Sequence, residues 1–172
     1  KKIDKNTEEI PEQPPNGVSK QGIWIVGADG NAIDQSVLEE ALKNDISIET
    51  SSAYDMDIVK ALYDKGKVEK EIEVICNGFK TDDYLQKISE MVNNGFSNIT
   101  PILDNYRELD KLTESIDSTF NIGIRIASEE EPKFEFYTSR LGIGYKDIIP
   151  YYSQKIAEHP HARLKMLHFF IN

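Results

Sequence analysis

Apolar positions along this chain follow two alternating rhythms, every second residue over short runs and every third or fourth over longer ones. The first short run is Gly22–Val26, followed by a turn at Gly27-Ala28-Asp29-Gly30-Asn31. A helix is expected from Asp34, with Val37, Leu38, Ala41 and Leu42 as its buried stripe. Ile46 and Ile48 mark a short strand. Ser52 and Asp55 have capping-box spacing for a helix that carries Met56, Val59, Leu62 and Tyr63 inward and stops at Gly66.

The cycle then repeats. Ile72, Val74 and Ile75 predict a strand that exits at Cys76-Asn77-Gly78. Thr81 caps a helix with Tyr84, Leu85, Ile88, Met91 and Val92 inward, closed by Gly95. Ile99–Leu103 is a strand, and Asn105 with Glu108 opens a helix with Tyr106, Leu109 and Leu112 inward. In Phe120–Ile126 the isoleucines 122, 124 and 126 share one face, which turns Arg125 to the other. A long polar connection leads to a helix from about Asp147 to Glu158, with Pro150 accommodated in its first turn. Leu164–Ile171 is the last strand.

Strict alternation of strand and helix implies an α/β fold with a parallel sheet and right-handed crossovers. The pattern gives about six parallel strands with five helices, roughly three quarters of a (β/α)8 TIM-type barrel. There is no GxGxxG after the first strand, so a dinucleotide-binding fold has little support. Residues 1–20, with Pro11, Pro14, Pro15 and many charges, read as a disordered arm, and residues 21–172 as one partial barrel. The chain does not open with Met and stops just after an apolar run, which suggests a fragment.

Charge narrows the partners. Twenty basic against 30 acidic residues give a net charge of −10, which argues against a nucleic-acid binder or an anionic membrane surface. No apolar run is long enough to span a bilayer. One cysteine, Cys76, cannot form an internal disulfide, in keeping with a cytoplasmic setting.

In a barrel, chemistry gathers where strands end, which singles out Glu49, Asn77, Asp104, Arg125 and His168. Arg125 and Arg140 near one strand exit suggest an anion site, because a guanidinium grips phosphate or carboxylate through two parallel hydrogen bonds. Each residue also has a plainer reading. Glu49 or Asp104 can start the next helix, Asn77 can serve a turn, and His168 can be a core histidine. Arg125 can pair with Glu129, Glu130, Glu131 or Glu49. No His/Cys cluster has metal-ligand spacing, and His159-Pro160-His161 is too isolated for a metal site.

Five motifs add a resemblance. They are Ile48-Glu49-Thr50-Ser51-Ser52-Ala53-Tyr54-Asp55, Ile75-Cys76-Asn77-Gly78-Phe79-Lys80, Ile124-Arg125-Ile126-Ala127-Ser128, Ser139-Arg140-Leu141-Gly142 and Leu167-His168-Phe169-Phe170-Ile171. In order and spacing they resemble the barrel motifs of the alanine-racemase-like (fold type III) decarboxylases that use pyridoxal phosphate. The likeness runs from about Val37 and is nearest to the bacterial biosynthetic arginine decarboxylases. Ornithine and diaminopimelate decarboxylases are more distant. The resemblance implies a pyridoxal phosphate barrel acting on a small amino acid, arginine to agmatine, on the route to polyamines. It implies a homodimer in the full-length family. Carried over by position, the cofactor-binding residues are Glu49, Arg125, Arg140, His168 and Phe170. Phe170 stands where relatives place a histidine that stacks on the pyridine ring.

One departure outweighs the rest. The lysine that forms the imine in this family aligns with Gly30, and Gly22–Ser36 contains no lysine. The expectation is therefore a chain related to the decarboxylases that has no turnover by itself. The competing expectation is a non-catalytic partial barrel that acts as a subunit or binding module.

Overall fold

The structure, a computed structural model, describes residues 24–26, 42, 46–127 and 141–169. The 1–20 arm, the helix expected from Asp34, Gly30, the Glu129–Glu131 run, Arg140 and Phe170 lie outside the described residues.

Five strands and the helices between them follow the expected alternation: β2 Ser47–Thr50, α1 Ala53–Asp64, β3 Val74–Cys76, α2 Asp82–Asn93, β4 Ile99–Leu103, α3 Tyr106–Ser115, β5 Phe120–Arg125, α4 Tyr145–Tyr151 and β6 Ala162–His168. A three-residue strand, β1 Trp24–Val26, pairs with β2. All pairs are parallel and neighbours in space are neighbours in sequence.

The period-2 pattern sorts the sheet into two faces. Ile48, Val74, Cys76, Ile99, Leu103, Phe120, Ile122 and Ile124 are buried in one core with Met56, Val59, Tyr84, Ile88, Leu109 and Leu112 from the helices. The other face carries Ser47, Glu49, Ile75, Thr100, Ile102, Gly123 and Arg125.

That second face is concave. Lys165 of β6 reaches Glu73, just before β3, at 2.7 Å, and Asn98, just before β4, at 2.6 Å. In a flat sheet β3 and β6 would stand about 14 Å apart, three interstrand steps of about 4.8 Å. Such contacts require the sheet to curl, a shape compatible with part of a barrel.

A one-residue slip completes this face. Ile122 pairs with Leu164, but Gly123 pairs with Met166, so Lys165 is an extra residue in β6. Ala162 and Leu164 pack toward the helices. Beyond the slip, Met166 turns to the concave side, where its Cγ would lie 2.9 Å from a Cβ placed on Gly123. His168 follows two residues later on the same side.

Local sequence explains the helix ends. Ser52, Thr81 and Asn105 each accept a backbone N–H of the first turn. The capping boxes differ from the usual form. Asp55 accepts from Ser51 N–H at 2.8 Å, and Glu108 from Asp104 N–H at 2.8 Å, each one residue before the cap. Gly66 and Gly95 follow their helices with φ of 65° and 90°.

Three expectations need correction. The helix α4 starts at Tyr145, so Pro150 falls in its second turn rather than its first. Proline offers no N–H there, and a π-helical turn follows over Tyr152–Ile156, with Ala157 N–H donating to Tyr152 O at 2.8 Å. Tyr106 does not face the core. It is the first residue of α3, is 49% exposed, and meets Tyr151 edge-on at 5.0 Å. The strand β6 ends at His168 rather than Ile171, and Phe169 beyond it is exposed.

Candidate functional site

Parallel strands all exit at one edge of the sheet, and the curl brings those exits together. Glu49 ends β2 one residue before Thr50, Asn77 follows β3, Asp104 follows β4, and Arg125 and His168 end β5 and β6. The Asn77 side-chain amide donates to Glu49 Oε1 at 2.8 Å and lies 3.5 Å from His168 Nε2. Three exits, β2, β3 and β6, thus meet through one amide. Arg125 Nη1 lies 3.6 Å from Asp104 Oδ1. That contact joins β5 to β4.

Lys80 closes the base of the cluster, and its role was not expected. Its side chain is fully buried, donates to Gly78 O at 2.9 Å, and lies 3.4 Å from both Asp104 Oδ2 and Glu108 Oε2. A buried ammonium is tolerated only among such partners. Its position, after the Gly78 turn and directly before the Thr81 cap, was the available signal. A helix start was the plainer reading of Asp104, beside the capping-box expectation for Asn105. Asn105 takes that role, which leaves the Asp104 carboxylate to bridge Lys80 and Arg125. Glu49 does not cap the following helix either, since Ser52 does.

The rim between β4 and β5 is fixed by backbone. Gly142 N–H donates to Asp104 O at 2.9 Å, and Ile143 N–H to Arg125 O at 2.7 Å. Gly142 has φ 103°, and a Cβ there would come within 2.8 Å of Ala127 N, so only glycine fits. Arg140, two residues earlier, and Phe170 lie outside the described residues. Of the five residues expected to bind a cofactor, the structure therefore gathers Glu49, Arg125 and His168.

The electrostatics are nearly balanced. Burial holds the His168 imidazole below its ordinary pKa, with Glu49 opposing most strongly and Arg125 next reinforcing the drop. Burial raises the Glu108 carboxyl, and Lys80 opposes that rise. Burial also pushes the Cys76 thiol up to about 11, as befits a core residue behind the sheet. Among the described residues, Asn77 Oδ1 beside Glu49 and Thr100 Oγ1 one level below are buried polar atoms without a hydrogen-bond partner. Among the described residues no group of His, Cys, Asp and Glu could hold a metal ion. No described helix is long and apolar enough to cross a membrane.

The described residues do not fit pyridoxal phosphate as a covalently held group. The one lysine among the described residues of the cluster, Lys80, has its ammonium enclosed by a carbonyl and two carboxylates. Among the described residues Glu49, Asp104 and Glu108 outnumber Lys80 and Arg125, so they offer no excess positive charge for a phosphate dianion. What it does offer is an acceptor, Asn77 Oδ1, suited to an ammonium or hydroxyl group. A scan against protein-family models found no match to this chain, and a search of curated proteins found no significant match either.

Proposed function

We propose that this chain is a partial (β/α)8 barrel of the fold type III, pyridoxal phosphate-dependent decarboxylase kind, nearest to the arginine decarboxylases, and that it does not turn over substrate by itself. In this reading the barrel has about six strands and five helices, takes a small amino acid at its mouth, works in the cytoplasm, and forms a homodimer in its complete form. The observation that carries the reading is the Glu49–Asn77–His168 contact, which joins three of the motif-bearing strand exits at one rim. The absence of a lysine from Gly22–Ser36, together with the enclosed Lys80, supports the lack of turnover.

The test is incubation of the chain with pyridoxal phosphate and arginine. The expected result is no visible imine absorption that borohydride removes, and no agmatine. An imine band with agmatine release would contradict the proposal.

A second reading, a non-catalytic barrel that serves as a subunit, is favoured by the surface of β6. Leu167 and Phe169 are 50% and 58% exposed. Leu167 lies in β6, the strand that ends the observed pairing order, and Phe169 directly follows it. Size-exclusion chromatography separates the two. Under the second reading the chain runs as an oligomer whose assembly is lost on Leu167→Lys, and under the first its elution is unchanged by that substitution.

A further inference from the structure

The turn that leads into β6 is held by two side chains with opposite tasks. Arg163 serves the carbonyls. Its Nη1 donates to His159 O at 2.7 Å and to Ala162 O at 2.9 Å, and its Nη2 to Pro160 O at 3.1 Å. His159 serves the N–H groups. Its ring Nδ1 accepts from His161 N–H at 3.1 Å and from Ala162 N–H at 2.9 Å.

This turn sets where β6 begins. Phe120 N–H donates to His161 O at 3.0 Å, the first rung between β5 and β6. Successive backbone groups of a strand point to opposite sides, so those of Ala162 turn away from β5. They go to side chains instead, the N–H to the imidazole and the carbonyl to the guanidinium. Ala162 itself is 1% exposed and pairs with Phe120.

A backbone N–H can only donate, so a ring nitrogen that receives two of them carries no proton. His159 is therefore neutral, with its proton on Nε2. A proton on Nδ1 would turn that acceptor into a donor facing two donors. It would also add a positive charge beside Arg163, which holds the carbonyl of His159, and near His161, whose ring centroid lies 6.3 Å away. Across β5, the partners of Ala162 and Arg163 are the uncharged Phe120 and Asn121. Lys155 of the π-helical turn, Glu158 after it and Asp117 before β5 are exposed, where water screens their charge. Burial holds the His159 imidazole below its ordinary pKa, and His161 and then Arg163 lower it further.

We infer that His159 is an acid-sensitive latch on the entry of β6, closed by the two N–H groups on its neutral ring and opened when Nδ1 takes a proton. With a lowered folded pKa, the latch contributes fully above the ordinary histidine value. That contribution is lost as pH falls through that value toward the folded one. The latch lies at the opposite end of β6 from His168 and does not rest on the decarboxylase reading.

The test is an NMR titration of the full chain from about pH 8 to about pH 4, which reads the ring nitrogens of His159 and the exchange of backbone amides. At the upper end Nε2 should be protonated and Nδ1 bare. As the ring takes its second proton, exchange protection at the His161 and Ala162 amides should fall about tenfold or more, and that at Ile102 in β4 should stay level. His159→Asn offers a carboxamide oxygen to the same N–H groups and does not titrate in this range. In that variant, protection at residues 161 and 162 should persist to the acid end. A proton on Nδ1 at about pH 8, protection that stays unchanged while the ring titrates, or a His159→Asn variant that keeps the acid sensitivity would each overturn the latch. The first two are read on the parent chain and need no variant to fold.

Discussion

The two ends of the concave face are built from the same kinds of side chain and arranged differently. At the strand entries, Ser47, Glu73, Asn98 and Lys165 form a closed set. Ser47 donates to Glu73 at 2.6 Å, and Lys165 donates to both Glu73 and Asn98. Lys165 and Glu73 are 30% and 29% exposed, so water shares the charge. At the exits, the side chains of Lys80 and Asp104 have no exposure at all, and Asn77 Oδ1 is left without a partner among the described residues. A polar set that is complete and wet holds the curl of the sheet. A polar set that is dry and incomplete has capacity left for a ligand.

The largest effect that separates the two ends comes from deleting a lysine at each. Lys80→Met leaves Asp104 and Glu108 buried without their cation and should cost about 3–5 kcal/mol in urea unfolding. Lys165→Met should cost about 1 kcal/mol or less, with a dependence on salt. Equal costs would erase the distinction between the ends.

Next in size is a test of packing between them. Gly123→Ala places a Cβ against Ile102 Cδ1 and 2.9 Å from Met166 Cγ. Overpacking of this sort should cost about 1–3 kcal/mol. A neutral result would mean that Met166 does not turn inward after the slip in β6.

Two threonines give a finer contrast. Thr50 Oγ1 shares a 2.7 Å hydrogen bond with Tyr84 Oη on the helix side. Thr100 Oγ1 is buried on the concave side without a partner among the described residues. Thr50→Val should lose about 1–2 kcal/mol, and Thr100→Val should be neutral or slightly stabilising. A large loss at Thr100 would show that its hydroxyl is engaged.

The smallest effect is a pH dependence at the mouth. His168 has a lowered pKa when folded, so the unfolded chain binds the proton more readily. Its contribution to stability is therefore present above the unfolded value and declines as pH falls through that value toward the lower folded one. His168→Gln should flatten that part of the stability profile. An unchanged profile would place the titrating group elsewhere.

Much of the sheet could be read from the chain, because burial on the helix side imposes a strict two-residue repeat on Val74, Ile99, Ile122 and Ile124. Helix starts could be read as well, since Ser52, Thr81 and Asn105 cap by local chemistry that needs no distant partner. What could not be read depends on contacts far apart in sequence. Lys80 finds its acid on the next strand-helix unit. Lys165 finds Glu73 only because the sheet curls. The run from Leu164 to Phe169 shows no alternation that would reveal the inserted residue, so the inward turn of Met166 and His168 was hidden. Pro150 was placed in a first turn because no side chain before Tyr145 marks the true start, where Gly144 makes no side-chain cap.

The curl that brings the strand exits together has one direct measurement. In a nuclear Overhauser spectrum of the intact chain, the Asn77 side-chain amide protons should show cross-peaks to the His168 ring protons, as a 3.5 Å approach of Nδ2 to Nε2 requires. A spectrum in which His168 sees only neighbours on β5 and β6, with nothing from Asn77, would mean that the exits lie apart and that there is no shared mouth.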